Sequence, residues 1–257
     1  MSKRQVGRVV FGFDEKGQAQ WIVLTLACHV NNVVQLVRAW DNGRAYLDTA
    51  ELDLDATKSR LVRAAEIHDS AKPIKFRIIY RENPFRQGEM EWAYSFAGHR
   101  FEVYDPDPYI QTLARLHHDY SVAGITQGVA RLRADGEPHA ANLPLDLYTL
   151  EICDQIEATL ARAVLGGDLE RRVFMDFHIE PVSECHYALD PYPFATDEVR
   201  LGIEYSRLRP PKELVDRVEA GSNKDKALEE LTSWVVEALQ TAPLEIKEVT
   251  ICALAQP

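Results

Sequence analysis

From about Ile22 to Trp40 the apolar residues Leu26, Val30, Val33, Val34 and Val37 recur at helical spacing, and His29 lies on their face. The pattern predicts a helix that Asp41-Asn42-Gly43 stops. Ahead of it, Gly7 to Phe13 reads as a strand and Asp14-Glu15-Lys16-Gly17 as a turn. A second helix is expected with Asp55 as its N-cap. Leu61, Val62, Ala65 and Ile67 lead it into His68-Asp69, and Pro73 ends or bends it soon after. Arg81 to Asp105 reads as a long polar-aromatic connection with His99 near its end. Asp107-Pro108 predicts a sharp helix start, because Asp caps the free N–H groups and Pro fits the first turn. That helix carries Ile110, Leu113, Leu116 and His117 on its apolar face, with His118 beside them. Pro144 opens another helix in which Leu147, Leu150 and Asp154 follow at three- and four-residue steps, so the acid shares the apolar stripe.

Past Gly166-Gly167 the pattern changes. Val173 to Val182, Tyr187 to Phe194 and Val199 to Tyr205 alternate as short strands do. Pro210-Pro211 opens a helical stretch that reaches about Leu239 and breaks near Gly221-Ser222-Asn223, and Leu244 to Leu254 forms a last strand. The expectation is a mainly α fold: a helical domain with an N-terminal strand over 1–167, then a smaller α+β domain over 168–257 with a short antiparallel sheet.

The 257 residues are 46% hydrophobic and 27% charged, so they can bury a core without any apolar run of the roughly 18 residues that a bilayer span needs. The start, MSKRQVGRVVFGFDEKG, lacks the apolar segment of a signal peptide, and a cytoplasmic location is expected. Cys28, Cys153, Cys185 and Cys252 form no CxxC pair and are expected to be free thiols. A formal charge of −11 is a poor grip for a nucleic-acid backbone, so a nucleic-acid substrate would need a partner to deliver it. No GxxxxGK[ST] phosphate loop is present.

The candidate chemistry lies in one spaced series: His29, His68-Asp69, His99, His117-His118 and Asp154. Imidazole and carboxylate are the ligands of divalent transition metals, and seven such groups can hold two ions. A lone buried histidine is usually structural. An acid on an apolar helix face, however, is costly unless it is paired or bound to a cation, and the series as a whole answers that cost. His139, His178 and His186 fall outside it.

The stretch Ala64-Ala65-Glu66-Ile67-His68-Asp69-Ser70-Ala71-Lys72 resembles the signature of the HD superfamily of metal-dependent phosphohydrolases. More narrowly, Leu26 and His29, then Ser95-Phe96-Ala97-Gly98-His99, Leu116-His117-His118 and Cys153-Asp154-Gln155 resemble the pattern of the HD nuclease of type I CRISPR interference systems. The resemblance covers roughly residues 22 to 166. It implies an HD-type helical domain and one metal on His29, His68, Asp69 and Asp154. A second metal would take Asp69, His99, His117 and His118, with Asp69 shared. Lys72 would lie near the scissile phosphate, and Asp69 and Lys72 would be the catalytic residues. Ala71 stands where the family usually has glycine, a small-for-small change.

The implied activity is hydrolysis of single-stranded DNA in antiviral defence. A separate helicase subunit and a CRISPR effector complex would be partners, since this chain has no motor of the phosphate-loop type. Histidine-rich sites suit Mn, Fe, Co or Ni better than Mg. The alternative is an HD phosphohydrolase acting on a small nucleotide or cyclic nucleotide. A non-catalytic partner-binding module would be expected to lack ligands, and none is missing from the series. Around the series, Arg100 could meet phosphate or pair with an acid. Asp119, Tyr120 and Ser121 could orient imidazoles. Trp92, Tyr94, Phe96 and Phe101 could stack bases or pack their loop down.

Overall fold

The structure, a computed structural model, describes residues 3–41, 54–119, 121–166 and 177–254. Its strands are β1 (Val6–Phe13), β2 (Ala19–Thr25), β3 (Arg77–Glu82), β4 (Met90–Ser95), β5 (His178–Ser183), β6 (His186–Asp190), β7 (Glu198–Leu208) and β8 (Glu245–Ala253). Its α-helices are α1 (Leu26–Ala39), α2 (Leu54–Ile67), α3 (Lys72–Lys75), α4 (Pro108–Leu116), α5 (Val122–Ala134), α6 (Leu143–Val164), α7 (Lys212–Glu219) and α8 (Lys224–Thr241).

The expectation of a mainly α protein with a short antiparallel sheet is wrong. The fold is mixed α/β, with a six-stranded sheet in the order β1-β2-β7-β8-β6-β5 and a separate β3-β4 hairpin. β6 pairs with β8 in parallel, while β1-β2, β2-β7 and β5-β6 are antiparallel. Two local misreadings led to the error. The expected helix begins near Ile22, but Val23 and Leu24 are buried in β2 and the helix starts only at Leu26. The aromatic and β-branched run from Trp21 to Val23 fits a covered pleated surface. The supposed connection from Arg81 also contains half of a hairpin. Ile78 and Tyr80 on β3, and Trp92 and Tyr94 on β4, alternate toward a core, which is the strand period.

Helix α2 is described from Leu54, one residue before the Asp55 expected ahead of it, and Pro73 lies in the first turn of the short α3. Asn42, Gly43 and the boundary expected near 168 lie outside the described residues.

The chain divides into two compact units. One comprises 1–28, 71–99 and 203–246; the other comprises 29–70, 100–202 and 247–257. In the first, Trp21, Val23, Phe76, Ile78 and Leu208 are buried with Val215, Leu231 and Val235 from α7 and α8. The backbone N–H of Ile78 donates to Thr232 Oγ1 at 2.9 Å, which ties β3 to α8. In the second, α2, α4, α5 and α6 pack on one another around Leu61, Leu113, Leu147 and Leu150. No helix among the described residues is long and apolar enough to cross a membrane.

The start of α4 follows the sequence closely. Asp107 Oδ1 accepts from the N–H of Tyr109 at 2.8 Å and of Ile110 at 3.4 Å, with Pro108 in the first turn. Asp107→Ala should therefore cost about 1 kcal/mol in urea unfolding. An unchanged midpoint would mean that the cap contributes nothing.

Candidate metal centre

Each histidine of the series sits where its helix or turn fixes it. His29 lies in the first turn of α1, His68 follows α2, His99 opens the 3-10 turn His99–Glu102, and His117 is the C-cap residue of α4. His29, His68, Asp69, His99, His117 and Asp154 are buried, and His118 is half-buried. Asp69, fully enclosed, is the common neighbour. Its Oδ2 is 3.0 Å from His29 Nε2 and 3.3 Å from His68 Nε2, and its Oδ1 is 3.6 Å from His117 Nε2. Asp154 Oδ1 approaches His29 Nε2 to 3.2 Å. The His117 and His118 rings lie 4.0 Å apart.

The ring nitrogens carry the chemical argument. Nδ1 of His68 lies 2.7 Å from the Ala65 carbonyl, that of His99 2.8 Å from Phe96, and that of His117 2.6 Å from Ala114. A carbonyl only accepts, so Nδ1 carries the proton in each neutral ring and Nε2 presents a lone pair. This arrangement is the usual one for a metal-ligating histidine. Nε2 of His68 has no hydrogen-bond partner although the ring is buried, whereas Nε2 of His29 faces the Asp69 and Asp154 carboxylates. Burial without such a partner is costly, and a cation at that place removes the cost.

Two ligand sets result. Asp69, His99, His117 and His118 form one, and His29, His68 and Asp154 the other; within each set one ligand atom per residue lies within 4.8 Å of all the rest. These buried groups can hold a metal ion, and the donor set fits it. All seven ligand candidates named from the sequence fall in one of the two sets.

Two carboxylates at this site were not named from the sequence. Glu157 Oε2, fully buried, accepts from His29 Nδ1 at 2.6 Å. Burial by itself pushes the His29 imidazole down, but the Glu157 charge and the bonds to Asp154, Asp69 and Glu157 hold it well above its ordinary pKa. Loading the site thus requires His29 to release its Nε2 proton, which makes metal uptake pH-dependent. His117 goes the other way: burial lowers its pKa despite the neighbouring Asp69.

The second missed acid is Glu151, whose buried Oε1 has no hydrogen-bond partner. Burial, then the charges of Asp154 and Asp119, push its carboxyl up to about 8. Glu151, Asp154 and Glu157 stand at three-residue steps on α6, a repeat visible in the sequence once Asp154 is placed on the inner face.

The sign of the Glu151 effect on stability follows from linkage. A carboxyl raised above its ordinary 4.5 favours the fold while protonated, and that contribution is lost as pH rises toward about 8. Metal-stripped Glu151→Gln should therefore melt above the parent chain at pH 8, with the gap closing toward pH 4.5. A gap independent of pH would show that Glu151 is not the titrating group.

Lys72 is buried in α3, with Nζ 5.2 Å from the centroid of the Phe96 ring. Trp92, Tyr94 and Phe96 pack against the core of their unit, which leaves Phe101, 65% exposed, as the one of the four aromatics not committed to that packing. Asp119 accepts from Ser121 N–H and Oγ, and Ser121 caps α5 through the N–H of Gly124, so the two serve a helix start. Tyr120 lies outside the described residues. The four cysteines form no disulfide. Cys28 Sγ accepts from the N–H of Glu204, and burial pushes the Cys153 thiol well up; neither cysteine belongs to either ligand set. His178 is exposed beside Glu180. No family model, curated protein or solved structure matches the chain, so the meaning of this site rests on its own geometry and on the motif resemblance.

Proposed function

We propose that the chain is a metal-dependent nuclease that hydrolyses phosphodiester bonds of single-stranded DNA in CRISPR antiviral defence. The supporting observation is the pair of ligand sets that meet at Asp69, with the imidazole Nδ1 atoms taken and Nε2 atoms presented. His29, His68 and Asp154 would hold one divalent cation, and His99, His117 and His118 a second, with Asp69 shared between them. Bound cations supply Lewis acidity and a lowered pKa for water. The residues provide orientation: backbone carbonyls fix three rings, Glu157 fixes His29, and enclosure keeps bulk water from the ligands. Lys72 is assigned the neutralisation of phosphate charge. Water and a phosphodiester yield a phosphate monoester and an alcohol.

The imidazole-rich donor set favours Mn, Fe, Co or Ni over Mg. A helicase subunit and a CRISPR effector complex belong to the same reading as partners, as does a cytoplasmic location. The formal charge of −11 favours a second reading, hydrolysis of a small nucleotide or cyclic nucleotide.

The test is degradation of labelled single-stranded DNA by metal-stripped protein resupplied with Mn, Co, Ni or Mg. Metal-dependent cleavage supports the nuclease. Phosphate release from mononucleotides, with DNA left intact, transfers the assignment to the second reading.

A further inference from the structure

Beside the ligands, within the second unit, lies a cleft of ≈370 Å³ walled by α4, α5 and the turn that follows His99. Three guanidinium groups, those of Arg100, Arg115 and Arg131, line it together with the exposed ring of Phe101. Two aspartates also line it. Asp119 takes the Ser121 N–H and hydroxyl, and Asp135 lies 4.0 Å from Arg131 Nε. Three arginines against two aspartates leave the cleft with a net charge of about +1 on a chain of charge −11, and a concave, low-dielectric wall concentrates that field.

The cleft is also prepared for a ligand. Arg115 Nε donates to the Val103 carbonyl at 2.9 Å, which holds the guanidinium in place. The Arg100 guanidinium lies 4.8 Å from the Phe101 ring centroid, so cation and ring present one combined face. Gly128 keeps α5 close to α4: a Cβ there would meet Leu116 Cδ1 at 2.9 Å and Leu143 Cδ2 at 3.0 Å. Three wall residues adjoin ligands by one covalent step, Arg100 after His99, Leu116 before His117 and Asp119 after His118.

We propose that this cleft is the subsite for the nucleotide next to the scissile phosphate of a single-stranded polynucleotide, with the arginines taking backbone phosphate and Phe101 stacking on a base. The planar arginine fork matches phosphate oxygens, and stacking on an aromatic ring tolerates any base. The proposal rests on the phosphodiesterase reading and adds that the chain selects a strand over a free mononucleotide.

The experiment measures fluorescence anisotropy of a labelled, roughly ten-nucleotide oligothymidylate on the full chain stripped of metal, so that the cleft is read without hydrolysis. Phe101→Ala and Arg131→Ala should each weaken binding about tenfold. Arg133→Ala removes an exposed charge from the same helix outside the cleft and should change it by less than about twofold. Thermal melts confirm that each variant is folded. Unlabelled thymidine monophosphate should compete far less well than the unlabelled oligonucleotide. Equal losses in Arg131→Ala and Arg133→Ala, or competition by the mononucleotide as strong as by the strand, would overturn the subsite. Cleft-dependent binding by a protein that cleaves nothing when metal-loaded supports the subsite and removes the nuclease reading instead, so the two fail separately.

Discussion

Asp69→Ala is expected to abolish the proposed metal-dependent phosphodiester hydrolysis and, with it, the rise in melting temperature expected on adding metal. Asp69 is the carboxylate that approaches His29 and His68 with one oxygen and His117 with the other. Removing it takes a ligand from one set and the shared anion from between both. Metal catalysis supplies several kcal/mol of transition-state stabilisation, and each 1.36 kcal/mol is tenfold in rate, so the loss should be about 10³-fold or more.

The thermal readout is independent of substrate. A ligand at a hundred times its Kd stabilises by about 2.7 kcal/mol, which for a chain of this size is roughly 5–10 °C. Calorimetry with and without Mn should show that increment in the parent and none in Asp69→Ala. Asp69→Asn, which keeps the volume, should behave likewise and excludes a packing artefact. Full metal stoichiometry together with undiminished hydrolysis in either variant would remove the site from the mechanism.

The residues of the two candidate ligand sets were legible in the sequence and the sheet was not, and the reason is physical. Ligand spacing is a local property. Asp107-Pro108 starts α4 where the cap chemistry demands, and this sets the height at which His117 ends the helix. Pro144 similarly opens the helix that carries Asp154 inward. Sheet order joins strands far apart in sequence: β2 pairs with β7 through Trp21 opposite Leu208, and β6 pairs with β8 through His186 opposite Thr250. No window of residues contains such a pairing. The continuous apolar run at Trp21–Leu24 is ambiguous between buried strand and helix until its partners are known. Glu157 was missed for a different reason. An acid on a long helix ordinarily reads as a solvated face, and the three-residue step from Asp154 to Glu157 gains its meaning only from His29 on α1.

Glu157→Gln is expected to weaken metal binding by about 10–100-fold, the usual consequence of removing the group that orients a ligand histidine. The native carboxylate accepts the His29 Nδ1 proton at 2.6 Å, which selects the orientation that aims Nε2 at Asp69 and Asp154 and makes the imidazole a better donor. Glutamine retains a carbonyl acceptor but loses the charge, so orientation survives while donor strength falls. Glu157→Val removes the acceptor as well, freeing the ring to place its proton on Nε2, and should be the weaker binder of the two.

The distinction from Asp69 lies in rescue. At saturating metal, Glu157→Gln should recover a rate within a few-fold of the parent, because no ligand has been removed. Asp69→Ala should recover nothing. Metal titration by calorimetry gives the affinity, and hydrolysis at rising metal gives the recovery. An unchanged metal Kd in Glu157→Gln would reduce Glu157 to a buried packing partner of His29, and an unrecoverable rate would make it a ligand in its own right.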